Sequence, residues 1–448
     1  MSESKLTEGN ISKGIVGFLT PILISSLIQQ LYSTVDLILI GRYVGAEATA
    51  AVGASALIIT CLIGFFNGMA VGSNVVTAHI FGRADSKDLK KVIQTVWITG
   101  TVGGLALMVC GLVLAPIFLH WMNTPTAILV TAVNYLRIYM LCMPGIILYN
   151  LCSGILRAMG DSKNPMLFQI VGGVLNVAGD ILLVAFLNKG VEGAAAATFV
   201  SQTVAAGLIL IHLHSKKRTV RLHFGYKDFS LYSLKKIMLI GIPSGIQAII
   251  ITFSIIIIQS QINKFGVPAI AAFTTYYKVE MLLYLPIVAL GQAVISFVGQ
   301  NHGAAQHDRI RQGTKFAVMW GIGMTAAISA LLLLNGEFVM RLFSDNEKVI
   351  SYGCQIMMIT FPFYFLYAIF ECLNCEIRGK GNARIPMLIT VFSLCVVRLA
   401  ALGAVLKIWQ DVRGIAAVYP FSWGIAVILL IGIKYPMRKK EETENRLL

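Results

Sequence analysis

Charge is what this sequence has least of. Asp, Glu, Lys and Arg make up 13% of its 448 residues, against 57% hydrophobic ones. A water-soluble domain covers its core with a charged surface, and there are too few charges here to make one. Long polar segments are missing too. The longest, about 214–236, leaves no room for a sizeable soluble domain. No Gly-x-x-x-x-Gly-Lys-Ser/Thr phosphate loop is present, which excludes a nucleotide-driven engine of that type. The first ten residues, "MSESKLTEGN", are polar, and the first apolar run is too long for a signal core and lacks a cleavage site. The seven histidines are scattered without metal-ligand spacing, and all eight cysteines fall in or at the ends of apolar runs. "ECLNCE" (371–376) does hold a C-x-x-C beside two glutamates. With no second pair to complete four ligands, Cys372 and Cys375 read as packing residues rather than as a metal or redox site. No nucleophile–base constellation appears, so an enzyme is not expected.

What is present is apolar sequence in long runs, with a mean hydropathy of +0.77. Runs of roughly 20 residues recur along the whole chain, each able to cross a hydrocarbon core about 30 Å thick. The predicted spans are 15–40, 50–78, 93–119, 128–153, 165–187, 193–213, 237–262, 270–299, 314–334, 350–375, 386–406 and 414–434. The expected fold class is therefore an all-α integral membrane protein with twelve transmembrane helices.

The formal charge of +15 invites a nucleic-acid reading, but its placement argues for topology. Counted from a cytoplasmic N-terminus, only Arg42, Lys189, Lys264, Arg341, Lys348, Lys407 and Arg413 fall outside, and Arg137, Lys278 and Arg398 lie within spans. All other basic residues face the cytoplasm. This is the positive-inside rule, with both termini cytoplasmic. The expected setting is the cell (inner) membrane of a multi-pass protein, with lipid and no nucleic acid as partners, and a monomer.

The two halves align at a fixed spacing of 221 residues. Gly45 falls on Gly266, Gly82 on Gly303 and Gly193 on Gly414, and "RAMGDSKNP" (157–165) falls on "RGKGNARIP" (378–386). Each half holds six spans, an even number, so the repeat is parallel, with a pseudo-twofold axis along the membrane normal. The expected organisation is a six-helix lobe at 1–213, a basic cytoplasmic linker at 214–236, a second six-helix lobe at 237–434 and a cytoplasmic tail at 435–448. Two such lobes facing a cleft suit a transporter that rocks one lobe against the other. The Gly–basic–Pro turns have structural work: Pro165 and Pro386 fit the first turn of a new helix.

Two acids interrupt the apolar runs of the first half. Asp36 lies in "YSTVDLILIG" and Asp180 in "NVAGDILLV". A carboxylate mid-span costs roughly 2.5–3.5 kcal/mol on insertion scales. Both lie roughly 6–11 Å below the outer ends of their helices, at 1.5 Å per residue. Asn176 precedes Asp180 by one turn and presents an amide on the same face. The fourth span adds Tyr135, and deeper Asn150 and Ser153. At the fixed spacing Asp36 corresponds to Ile257, Asn176 to Val397 and Asp180 to Ala401. The second half thus keeps the backbone landmarks without the acids, which favours a cation site over a folding role. The alternative is a structural ion pair of either aspartate with Arg137, at comparable depth. Lys278, Glu280, Glu371 and Arg398 are further intramembrane charges. Phe65, Tyr277, Glu280, Tyr284 and Phe361 are candidate lining residues of a substrate cavity; the alternative is packing between helices.

With these residues in view, the chain resembles the multidrug and toxic compound extrusion family of cation-coupled antiporters. The resemblance rests on the two six-helix halves, on "LRAMGDSKNP" with its partner "IRGKGNARIP", on "VGQNHGA" (298–304) and on Pro21, 15 residues before Asp36. It implies an N-lobe cation site of Asp36, Tyr135, Asn150, Asn176 and Asp180, with Ser153 where some members have asparagine, and a first helix that bends at Pro21. It further implies export of cationic or amphipathic small molecules in exchange for H⁺ or Na⁺, with no cofactor and no metal beyond Na⁺ at that site. The seventh span carries no acid and Glu371 matches the tenth-span acid only loosely, which resembles the branch using the N-lobe site alone. Alternatives are a flippase for a lipid-linked substrate, which a strongly basic cavity would favour, and a passive channel.

Overall fold

A computed structural model describes residues 6–215, 220–223 and 225–447, with position 435 and those past 436 as backbone alone. The polar start up to Lys5, and positions 216–219 and 224 of the expected linker, lie outside these residues. Among the described residues, twelve helices are long and apolar enough to span a membrane, and each coincides with a predicted span.

The helices are α1 (Ile11–Tyr43), α2 (Ala46–Gly82), α3 (Ser86–Trp121), α4 (Thr126–Ala158), α5 (Lys163–Asp180) and α6 (Gly190–His214). They continue with α7 (Leu231–Ile262), α8 (Val267–Gly303), α9 (His307–Leu334), a short α10 (Gly336–Arg341) and α11 (Glu347–Thr360). Last come α12 (Tyr364–Gly379), α13 (Arg384–Thr390), α14 (Arg398–Ile408) and α15 (Val412–Leu447). A 3-10 turn, Phe361–Phe363, joins α11 to α12 in one span.

Helix starts follow local chemistry. The Asn10 side chain accepts from Lys13 N at 3.1 Å, and Asp85 accepts from Lys87 N and Asp88 N at 3.1 and 3.0 Å, each satisfying backbone donors that a first turn leaves open. The repeat is visible in the backbone as well. Gly160 and Gly381, 221 residues apart, both adopt positive φ, +83° and +94°, in the turns before α5 and α13. Pro165 and Pro386 then stand in the first turns of those helices, where a missing N–H costs nothing.

One feature was hidden in the sequence. Each half carries a π-helical stretch in its fifth span, Ile181–Phe186 after α5 and Val391–Val397 between α13 and α14. A π turn takes up one residue more than an α turn. The two stretches sit at different levels, so between them the halves run one residue out of step.

The chain divides into two compact units, Met1–Gly245 with Gly299–Gln306, and Ile246–Val298 with His307–Leu448. In the first, α4 is the central helix, packed against α2, α3 and α6. In the second, the core gathers around the fully buried aromatic side chains of Phe273, Tyr276, Phe361 and Tyr364.

Candidate functional site: a buried oxygen-rich cavity in the first unit

Polar residues on α1, α4, α5 and α6 converge because each recurs at helical spacing. On α1 these are Gln29, Tyr32, Ser33 and Asp36; on α5 they are Gln169, Asn176 and Asp180. A cavity of about 260 Å³ lies among them, lined by Asp36, Tyr32, Tyr135, Tyr139, Asn150 and Gln202 with others.

Asp180 is fully buried, and neither of its carboxylate oxygens has a hydrogen-bond partner among the described residues. Asn176, also buried, donates from Nδ2 to Thr198 Oγ1 at 3.2 Å while its Oδ1 is unpartnered. Asp36 is half-buried at the cavity wall, with Oδ1 unpartnered. Asp36 and Asp180 act electrostatically on each other, and both act on Tyr135, which is buried. Asn150 is half-buried and lines the cavity; Ser153 is buried with an unpartnered hydroxyl. Buried polar atoms without partners are uncommon and costly. Here they are oxygens of carboxylate, amide and hydroxyl groups, a donor set suited to a proton or a hard cation.

The alternative of an ion pair with Arg137 does not hold. Arg137 is exposed, its Nε donates to the Leu112 carbonyl at 3.3 Å, and among the described residues it pairs with neither aspartate.

Sequence reasoning passed over Tyr32, whose hydroxyl accepts from Gln169 Nε2 at 3.4 Å and from Gln202 Nε2 at 3.2 Å. Gln169 and Gln202 are buried. Their signal was the recurrence of uncharged polar residues every three, four or seven positions.

Pro21 is buried inside an α1 that runs unbroken from Ile11 to Tyr43. Phe65 lies in the first unit, half-buried with its ring edge-on to Phe66. Tyr277, Glu280, Tyr284 and Phe361 lie in the second. Glu280 accepts from the hydroxyls of Tyr276 and Tyr364 at 3.3 and 3.1 Å. Phe361 is stacked on Tyr276 in the core, and Lys278 is exposed. Cys372 and Cys375 are buried and free, and Cys375 Sγ donates to Glu371 Oε1 at 3.3 Å.

The comparison of halves needs one correction. Because the π stretch precedes this level in the second half and follows it in the first, the counterparts shift by one residue. Asn176 matches Arg398, not Val397, and Asp180 matches Leu402, not Ala401. Burial agrees: Arg398 and Leu402 are buried like Asn176 and Asp180, whereas Val397 and Ala401 are partly exposed. The second half still has no acid at these levels, but it does have a base.

Twelve apolar helices and a buried polar cavity at bilayer depth define a multi-pass membrane transporter. The MatE family profile matches residues 21–182 and 243–402, and the chain belongs to that family, whose members are transporters and not enzymes. It is 27% identical over 450 residues to YoeA of Bacillus subtilis (strain 168), a probable multidrug resistance protein, covering 98% of this chain and 97% of that one. It is 25% identical over 411 residues to NorM of Thermotoga maritima, also a probable multidrug resistance protein, covering 89% and 87%. Among solved structures, an outward-facing multidrug resistance MATE family transporter of the MOP superfamily superposes with a TM-score of 0.92 at 23% identity, covering 98% of this chain and 99% of that one. At that identity the likeness shows the shared fold.

Proposed function

We propose that this protein exports cationic or amphipathic small molecules by alternating access, in exchange for a cation entering through Asp36 and Asp180. One observation carries the reading: both Asp180 oxygens are buried and unpartnered at bilayer depth, beside a second carboxylate. A scaffold avoids that cost by placing leucine there, as the second half does at Leu402. The relatives' description as multidrug resistance proteins supports the substrate class.

Tyr135, Asn150, Asn176 and Ser153 complete the oxygen set that receives H⁺ or Na⁺, with no cofactor. Inward movement of one elementary charge across 100 mV supplies about 2.3 kcal/mol, enough to bias an equilibrium between two conformations. Pro21 removes a backbone hydrogen bond from α1 15 residues before Asp36 and supplies the bending point that links occupancy to helix shape. The protein acts as a monomer in the cell membrane, with both termini cytoplasmic.

The test is purified protein in liposomes with H⁺ and Na⁺ gradients imposed separately and a panel of cationic dyes. One gradient drives dye transport, and Asp180→Asn abolishes the driven component while inserting normally. Undiminished gradient-driven transport by Asp180→Asn refutes the assignment.

A further inference from the structure

The second unit holds two buried charges of opposite sign that do not touch. Arg398 is 5% exposed; its Nε donates to Ser422 Oγ at 2.9 Å and its guanidinium lies 4.6 Å over the Tyr419 ring. Its Nη2 is buried with no partner among the described residues. Glu280, the nearest carboxylate acting on it, is held elsewhere by the Tyr276 and Tyr364 hydroxyls. Between the two charges runs a hydroxyl pair, Tyr277 with Tyr419 at 3.0 Å.

A purely structural pair is best served by contact. Two charges taken out of water recover most when arginine grips the carboxylate with two parallel hydrogen bonds. Aromatic side chains instead hold these groups apart, Tyr276 against Phe361 at 5.6 Å and Tyr364 against Trp423 at 5.0 Å between ring centres. The arginine therefore keeps an unused donor in a place where an unused donor is expensive.

Its position in the repeat is the second argument. With the one-residue slip included, Arg398 is the twin of Asn176, a member of the oxygen set in the first unit. Its contact Tyr419 is likewise the twin of Thr198, the residue that Asn176 grips. The same helix level thus carries a cation-seeking amide in one unit and an anion-seeking guanidinium in the other. Glu280, in turn, replaces Ile59 of the first half.

We propose that the second unit binds a zwitterionic amphiphile, its anionic group on Arg398 and its cationic group on Glu280. The aromatic rings around Glu280 add cation–π attraction for an ammonium or iminium group. Entry is from the Glu280 edge, where Tyr277 and Glu280 are half-buried and Tyr284 is 37% exposed. The assignment gives the proposed export a ligand class and rests on that reading for its purpose, but equilibrium binding needs no gradient, so the two fail separately.

The probes are a rhodamine with a free carboxylate and its methyl ester, which share one cationic ring system and differ in the anionic group alone. Binding to detergent-solubilised protein is followed by fluorescence polarisation without any ion gradient. Wild type binds the acid form more tightly than the ester. Arg398→Gln weakens the acid form about tenfold and the ester less than about twofold, as loss of one charge-assisted contact predicts. Glu280→Gln weakens both. Where Arg398→Gln does not fold, Arg398→Lys keeps the charge without the fork and weakens the acid form selectively but less. Equal loss for both dyes in the arginine variant that folds, no loss for either, or no preference for the acid form in wild type overturns the proposal.

Discussion

Gly82 at the end of α2 lies against the Gln300 carbonyl of α8, and Gly303 lies against the His79 carbonyl of α2, so the two helix ends meet backbone to backbone. A Cβ on either glycine would collide with a carbonyl oxygen that has no side-chain freedom to yield. Gly82→Ala and Gly303→Ala are each expected to destabilise the protein by about 1–3 kcal/mol, the usual range for overpacking. Gly403→Ala in α14, where a Cβ meets open space, is the control and should be neutral or stabilising by about 0.5–1 kcal/mol. Thermal unfolding in detergent measures all three. Equal melting of Gly303→Ala and Gly403→Ala would show that the crossing is loose.

Asp180 offers a stability prediction distinct from its transport role. Two carboxylate oxygens without partners represent a penalty of about 1–3 kcal/mol. Asp180→Asn removes the charge at nearly unchanged shape, so the variant should melt above wild type even as coupled export is lost. A lower melting temperature would mean that the carboxylate holds the helices together.

Arg137 should be dispensable. Its side chain turns to the Leu112 carbonyl on α3, away from both aspartates. Arg137→Gln is expected to keep gradient-driven export within about twofold of wild type, since one exposed hydrogen bond contributes little. A loss as deep as that of Asp180→Asn in the liposome assay would contradict the geometry.

Tyr32 joins three helices through one oxygen. Tyr32→Phe leaves the buried amides of Gln169 and Gln202 without that acceptor, at a cost of about 1–3 kcal/mol. Tyr43→Phe, at a site 51% exposed, is the matched control and should be silent. Similar melting of the two variants would show that the amides find other partners.

The spans and the two aspartates were legible because hydrophobic length and intramembrane charge are properties of single segments. Asp36 and Asp180 stand out against leucine and isoleucine whatever the rest of the chain does. Tyr32, Gln169 and Gln202 did not stand out, because an uncharged polar residue in a membrane helix is cheap and common, and their meeting depends on how three helices rotate. The slip between Asn176 and Arg398 was invisible for another reason. A π turn adds one residue without leaving the helix, and a run such as "VFSLCVV" carries no mark of the wider turn. Even spacing of landmarks on either side made the fixed alignment look complete, since each half contains one such turn.

The last turn of α8 is fastened by side chains rather than by apolar packing alone. Gln300 accepts from Leu6 N at 2.8 Å and donates to the Ala158 carbonyl at 2.8 Å, while Asn301 donates to the Leu6 carbonyl at 3.2 Å. Three ties of about 0.5–1.5 kcal/mol each act as a clasp with a finite breaking load. The amino-terminal thread is therefore a trigger point. Loosening Leu6 would free the inner tip of α8 first and set how readily that end of the molecule yields.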